Sequence, residues 1–173
     1  MKKRIFISLP VPKKHKKELS VFAKQLKIEG NLVPQKNYHI TLLFLGEIDE
    51  NSIPRISKKI AKIAAETKSF NLEVSSIENK IIFKKNMIWV NFNQSKKFNS
   101  LALFLRNELK DFTLDVKKQI PHITLAKTKN AKISQLESPR FDPIQIDQID
   151  LMESHLFEKH AEYKIIKSFP FEK

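Results

Sequence analysis

The chain has 173 residues and 20.2 kDa, room for one packed core, and its 41% hydrophobic and 29% charged residues exclude wholesale disorder and a fibrous repeat. With no cysteine it has no disulfide framework, thiol nucleophile or thiolate zinc site, and no run approaches about 18 uninterrupted apolar residues. The formal charge of +13 favours polyanionic partners such as nucleic acid, although only Arg4, Arg55, Arg106 and Arg140 carry the planar fork that reads phosphates bidentately; the other cations are lysines and serve solubility equally well.

Residues 4–9 read as a strand closed by Pro10 and Pro12. This opening, broken early by lysine and proline, is too short for a signal peptide, so a cytoplasmic protein that does not engage a membrane is expected. A helix follows over 13–28, with Leu19, Phe22, Ala23 and Leu26 on one apolar stripe and lysine outside. A strand runs from Tyr38 to Leu45 and stops at Gly46. Ser52 offers a helix cap with Pro54 in the first turn, and Ile56, Ile60, Ile63 and Ala64 mark the buried face of a helix ending near Lys68. The period then changes to two: a strand over 70–74 precedes a hairpin of 81–83 and 87–92 turned at 84–86. Residues 96–112 return to helix, with Leu101, Phe104, Leu105, Leu109 and Phe112 facing inward. After Pro121 a strand covers 122–127, and strands over 144–149, 150–157 and 162–168 close the chain. The predicted order is β-α-β-α-β-β-β-α-β-β-β-β, a mixed α/β chain. No linker or low-complexity tract divides it, so residues 1–173 are expected to form one domain.

The tetrapeptide His-Ile-Thr-Leu occurs at 39–42 and again at 122–125, about half a chain apart, each time in a predicted strand preceded by a helix. Strand alternation puts His39 and Thr41 on one side and Ile40 and Leu42 on the other, and likewise His122 and Thr124 against Ile123 and Leu125. The aliphatic residues can anchor each strand while the polar pairs face open space. If the two strands adjoin a common cleft, two imidazoles and two hydroxyls converge.

That set suits phosphoryl chemistry. An imidazole titrates near neutrality, so one copy can be neutral while the other is protonated, and two on opposite sides of a phosphorus can act as general base and general acid in line. Threonine hydroxyls can hold the non-bridging oxygens as charge builds there. No cluster of acidic residues at ligand spacing surrounds either histidine, so neither metal nor cofactor is expected. A single strand histidine is more often a packing or surface residue than a catalyst; two in identical contexts, in a chain with only five histidines, shift that balance. His15, in a lysine run, reads as structural at a solvated helix start. The spacing of His155 and His160 fits neither a helical metal pair nor one strand face, and Trp89 reads as core. A glycine phosphate loop and a nucleophile elbow are both missing from a chain whose only glycines are Gly30 and Gly46.

Taken with the opening strand Arg4–Pro10, the segments Tyr38–Gly46 and Pro121–Lys127, and Leu151–Ser154 followed by Tyr163, the paired motif resembles the two-histidine phosphoesterases, in particular the LigT-like RNA 2′,3′-cyclic phosphodiesterases, also called the 2′-5′ RNA ligase family. The resemblance implies an α+β, bilobal fold in which two antiparallel sheets form a central cleft with helices packed outside, duplicated about a pseudo-two-fold axis. It implies hydrolysis of RNA 2′,3′-cyclic phosphate ends to 2′-phosphates without a metal. His39 would be the proton donor to the leaving ribose oxygen and His122 the acceptor that activates water, with Thr41, Thr124 and Lys127 binding the phosphate. Lys127 stands where the family often has arginine. The expected partner is RNA bearing a cyclic phosphate end, or a small cyclic nucleotide, met by a monomer. Two alternatives remain: a phosphodiesterase for another small cyclic phosphate, and a non-catalytic RNA- or nucleotide-binding module.

Overall fold

The computed structural model describes residues 1–26, 28–82, 85–113, 119–130, 138–157 and 161–172. In chain order the elements are β1 (Lys2–Pro10), α1 (Lys13–Gln25), β2 (Glu29–Leu32), β3 (His39–Asp49), α2 (Ile53–Ala65), β4 (Phe70–Leu72), β5 (Val74–Ile82), β6 (Lys85–Phe92), α3 (Lys96–Glu108), β7 (His122–Asn130), β8 (Ile144–Ile146), β9 (Gln148–Leu156) and β10 (Ala161–Pro170), with 3-10 turns at Gln35–Asn37, Glu50–Ser52 and Lys110–Phe112. No described helix is long and apolar enough to cross a membrane.

The strands form two four-stranded antiparallel sheets, ordered β10-β9-β1-β3 and β2-β7-β6-β5, and a small pair β4-β8. Helices α2 and α3 pack against the first sheet and α1 against β7 of the second, while β3 and β7 approach each other where the sheets meet. This is the α+β, two-sheet architecture that the family resemblance implied.

Apolar spacing explains the helix contacts. Ile56, Ile60, Ile63 and Ala64 of α2 are buried as predicted, and full burial of each isoleucine is worth about 1.5–3 kcal/mol, far more than the small helix-propensity penalty of a β-branched residue. In α3 the buried set is Phe98, Leu101, Ala102 and Leu105; Phe104 is 57% exposed, because that stripe, advancing about 100° per residue, leaves position 104 on its far side. Helix α1 ends at Gln25 rather than 28 and α3 at Glu108, with Lys110–Phe112 continuing as a 3-10 turn. Ser52 occupies the cap position of α2 but makes no side-chain cap bond. Asp49 instead accepts from the Asn51 amide at 2.9 Å and caps the preceding turn.

Two strand expectations differ. The single strand over 70–74 divides at Glu73: β4 pairs with β8, and β5 begins at Val74 and pairs with β6 along the hairpin. The tip of the hairpin, 83–84, lies outside the described residues. The unpredicted β2 is exposed at every residue and exists by pairing with β7. Gly30 permits that pairing: a Cβ there would collide with the Lys127 carbonyl oxygen and stand 2.7 Å from the Thr128 Cα. The other glycine, Gly46, takes φ +80° opposite Ile5, a conformation L side chains resist. His15, expected at a solvated helix start, is instead buried, donating from Nε2 to the Asp142 carbonyl at 3.0 Å and meeting Phe141 edge-on.

Gly30→Ala is expected to lower unfolding stability by about 1–3 kcal/mol through overpacking against β7, read from the urea midpoint at unchanged m-value. Asn31→Ala, at an exposed position on the same strand, should cost under about 0.5 kcal/mol.

Candidate active site

His39 opens β3 and His122 opens β7. Each ring is held the same way: His39 Nδ1 lies 2.7 Å from the Asn37 carbonyl oxygen and His122 Nδ1 lies 2.7 Å from the Ile120 carbonyl oxygen. A carbonyl only accepts, so Nδ1 must carry the proton in both rings, and in the neutral form Nε2 carries the lone pair. Both histidines therefore present an Nε2 able to take up or deliver a proton. They are also electrostatically coupled, His122 acting on the charge of His39.

The strand faces divide as the tetrapeptide requires: Ile40, Leu42, Ile123 and Leu125 are all fully buried. Alternation alone would return the fifth residue after each histidine to the core side. In β1–β3 the register passes from Ser8–Thr41 to Ile7–Leu43, leaving Leu42 extra; in β6–β7 it passes from Trp89–Thr124 to Ile88–Ala126, leaving Leu125 extra. Each bulge makes two successive residues core-facing, Leu42 with Leu43 and Leu125 with Ala126, all fully buried. Position 44 and position 127 thereby rejoin the face of the histidines. Lys127, exposed, shares its side of β7 with His122 and Thr124, and Phe44, 48% exposed, stands at the matching place beside His39 and Thr41. One lobe offers a cation there and the other an aromatic ring.

The surroundings of the rings differ. Phe6 and Tyr163 flank His39, both with centroids 5.0 Å away, Tyr163 edge-on at 82°. His122 lies flat on Trp89, centroids 3.6 Å apart and planes 19° from parallel. Trp89, read from the sequence as core, is only half-buried, and its ring is a support for His122. Sheet register brings it there, opposite Thr124, which local alternation could not disclose. Burial pushes His39 down to about 4, opposed by its bond to the Asn37 carbonyl and reinforced by the charges of His122 and Lys16. Burial also lowers His122, against its bond to Ile120. Both rings are thus neutral at pH 7, with Nε2 as proton acceptor. Among the described residues no group of three or more His, Asp or Glu gathers as a metal site; His155 stands 3.5 Å from Glu153, and His160 lies outside the described residues.

The family profile described as "LigT like Phosphoesterase" matches residues 9–84, a span that includes His39 and Thr41 but ends before His122. Curated relatives extend across both motifs. An RNA 2′,3′-cyclic phosphodiesterase of Thermotoga maritima is 28% identical over 98% of this chain and 96% of its own length, and one of Methanocaldococcus jannaschii is 27% identical over 96% and 99%. Among solved structures, E. coli LigT in its apo form superposes with a TM-score of 0.86 at 19% identity, covering 99% of both chains, which shows a shared fold.

Because His39 resists protonation in the folded state, its contribution to stability is present above its ordinary 6.5 and is lost as pH falls through about 4. Unfolding midpoints should therefore fall with pH across that window, and His39→Gln should flatten the dependence. Trp89 is the sole tryptophan, so its fluorescence reports on His122: quenching by imidazolium should set in only below pH 6.5 and vanish in His122→Gln.

Proposed function

We propose that the chain is a LigT-like two-histidine phosphoesterase and that it hydrolyses RNA 2′,3′-cyclic phosphate ends to 2′-phosphates, with His39 and His122 as the acid–base pair. The observation that carries the reading is the duplicated anchoring, 2.7 Å from Nδ1 to a main-chain carbonyl in both copies, which commits two coupled Nε2 atoms to proton transfer.

The protein surroundings hold both imidazoles neutral, whereas the reaction needs one charged. The anionic cyclic phosphodiester supplies the difference: a negative charge beside a buried imidazole favours its protonated form, so substrate binding draws a proton onto His39. His122 Nε2 then accepts a proton from water as the water oxygen attacks phosphorus. The bond from phosphorus to the ribose O3′ breaks, and His39 Nε2 delivers its proton to that oxygen. The product keeps its phosphate on O2′, and His122 returns its proton to solvent while His39 is recharged. Thr41 and Thr124 donate to the non-bridging oxygens, and Lys127 supplies a positive charge as charge develops on them. Lysine gives a point charge without a fork, so it neutralises the phosphate but orients it less than arginine would. Trp89 offers its electron-rich face to His122, which favours the imidazolium formed during attack. In this reading the enzyme works as a monomer in the cytoplasm, needs neither metal nor cofactor, and meets RNA through a basic surface whose affinity falls with salt.

The decisive assay uses an RNA ending in a 2′,3′-cyclic phosphate, in excess EDTA, with the position of the product phosphate identified. Turnover to a 2′-phosphate that survives chelation, with kcat reduced by about 100-fold or more in His39→Ala and in His122→Ala, is the expected result. Loss of activity on chelation would contradict the metal-free mechanism. Binding without turnover by the wild type would identify a binding module. Turnover of cyclic mononucleotides in strong preference to RNA ends would identify the small-nucleotide alternative.

A further inference from the structure

Two successive carbonyls of the 3-10 turn Gln35–Asn37 accept from side chains of different elements. The Asn37 carbonyl accepts from His39 Nδ1 at 2.7 Å, and the carbonyl just before it, that of Lys36, accepts from Lys16 Nζ in the first turn of α1 at 3.2 Å. The buried Asn37 side chain donates to the Ala161 carbonyl at 2.8 Å, tying the same turn to β10, the strand that brings Tyr163 against the His39 ring. The carbonyl that orients His39 is thus held from α1 on one side and from β10 on the other.

We propose that Lys16 is a positioning residue for His39: it clamps the turn whose carbonyl fixes the imidazole, and its ammonium is the standing positive charge that acts on that ring. The inference rests on the reading of His39 as the proton donor.

Lysines at exposed helix starts are ordinarily solvated, and Lys13, Lys14 and Lys17 of α1 are. Lys16 is half-buried. Burial lowers its proton affinity, and the Asp150 carboxylate opposes that loss. Keeping a charged group in this place costs desolvation free energy, which one hydrogen bond to a neutral carbonyl only partly offsets. A bare stem of similar length would fill the space at no such cost, so the charge itself calls for an explanation, and its action on His39 provides one.

His122 of β7 and Lys16 of α1 act on His39, Tyr163 of β10 packs on its ring, Asp150 of β9 acts on Lys16, and Lys36 of the turn pairs with Glu162 of β10. Arg4 of β1 acts on Tyr163. Lys36 is paired with Glu162 at 3.4 Å and contributes little net field, whereas Lys16 makes no ion pair within 4.0 Å among the described residues and acts on His39 directly. Its field adds to the burial that keeps His39 neutral. Once bound, the phosphate offsets that field, so proton uptake is tied to substrate binding.

The test follows the His39 ring nitrogens by 1H–15N spectroscopy against pH, without phosphate, in wild type, Lys16→Met, Lys16→Gln and Lys16→Arg, alongside pH profiles of kcat. Removing a neighbouring positive charge makes protonation easier, so in Lys16→Met the His39 midpoint should rise by of the order of half a pH unit, and the Nδ1–H preference should weaken. Its kcat should drop about tenfold at nearly constant KM, with the alkaline limb displaced upward. Lys16→Gln keeps a donor and drops the charge, so it should raise the midpoint while retaining the tautomer, and it carries the test if the methionine variant does not fold. Lys16→Arg should restore both. A lower melting temperature in Lys16→Met and Lys16→Gln with His39 midpoint and tautomer as in wild type would overturn the proposal, leaving Lys16 merely structural. Those spectra stand apart from catalysis: if the wild type turned over no cyclic phosphate, the reading of His39 as a proton donor would fall, while the midpoint would still decide whether Lys16 acts on the ring.

Discussion

The site depends on one contact made twice, an imidazole N–H donated to the main-chain carbonyl two residues upstream at the point where a strand begins. That bond selects the tautomer, fixes the plane of the ring and leaves Nε2 as the nitrogen that can exchange a proton. It needs nothing from the side chains of the carbonyl residues, and those, Asn37 and Ile120, have nothing in common. It does require that the carbonyls be fixed, and the two lobes meet that need differently. Around His39 the turn is clamped from α1 and β10; around His122 the ring is backed by Trp89 of the adjoining strand.

A second constraint is the bulge at the leucine of each tetrapeptide. A regular strand would have paired His and Thr with residue i+4; with one extra residue the face becomes His, Thr and i+5, so that Phe44 and Lys127 stand in matching places. The pair shows how a duplicated scaffold became asymmetric: the same backbone device delivers an aromatic ring to one wall of the cleft and a positive charge to the other. The flanking aromatics follow the same division, Phe6 and Tyr163 around His39 against a single indole beneath His122.

What could be read from the sequence follows from which interactions are local. Burial of a helix stripe is periodic in the chain, so the inner face of α2 was legible residue by residue. The polar and aliphatic sides of the repeated tetrapeptide were legible because alternation is local too. The bulges, the stacking of Trp89 on His122 and the existence of β2 all depend on which strand lies alongside, information held by distant residues. Edge strand β2 buries none of its own residues and so leaves no hydrophobic signature. Phe104 was misread because Phe98, nearly two turns earlier, already completed the stripe. Lys16 lay hidden in a lysine run, distinguished only by the fold that half-buries it. The equal offset of Phe44 and Lys127 from their histidines was present in the sequence, yet its meaning depended on bulges that alternation does not announce.

Burial depresses both imidazoles, so the two histidines are neutral at pH 7. The central claim, that both rings serve a single phosphate, is tested most directly by titrating the protein with a nucleoside 2′-phosphate while following the imidazole nitrogens of His39 and His122 by 1H–15N spectroscopy. Both Nε2 resonances should move along one binding curve that saturates at one equivalent, with proton uptake by the complex. A response from only one ring, or two curves saturating independently, would contradict the account.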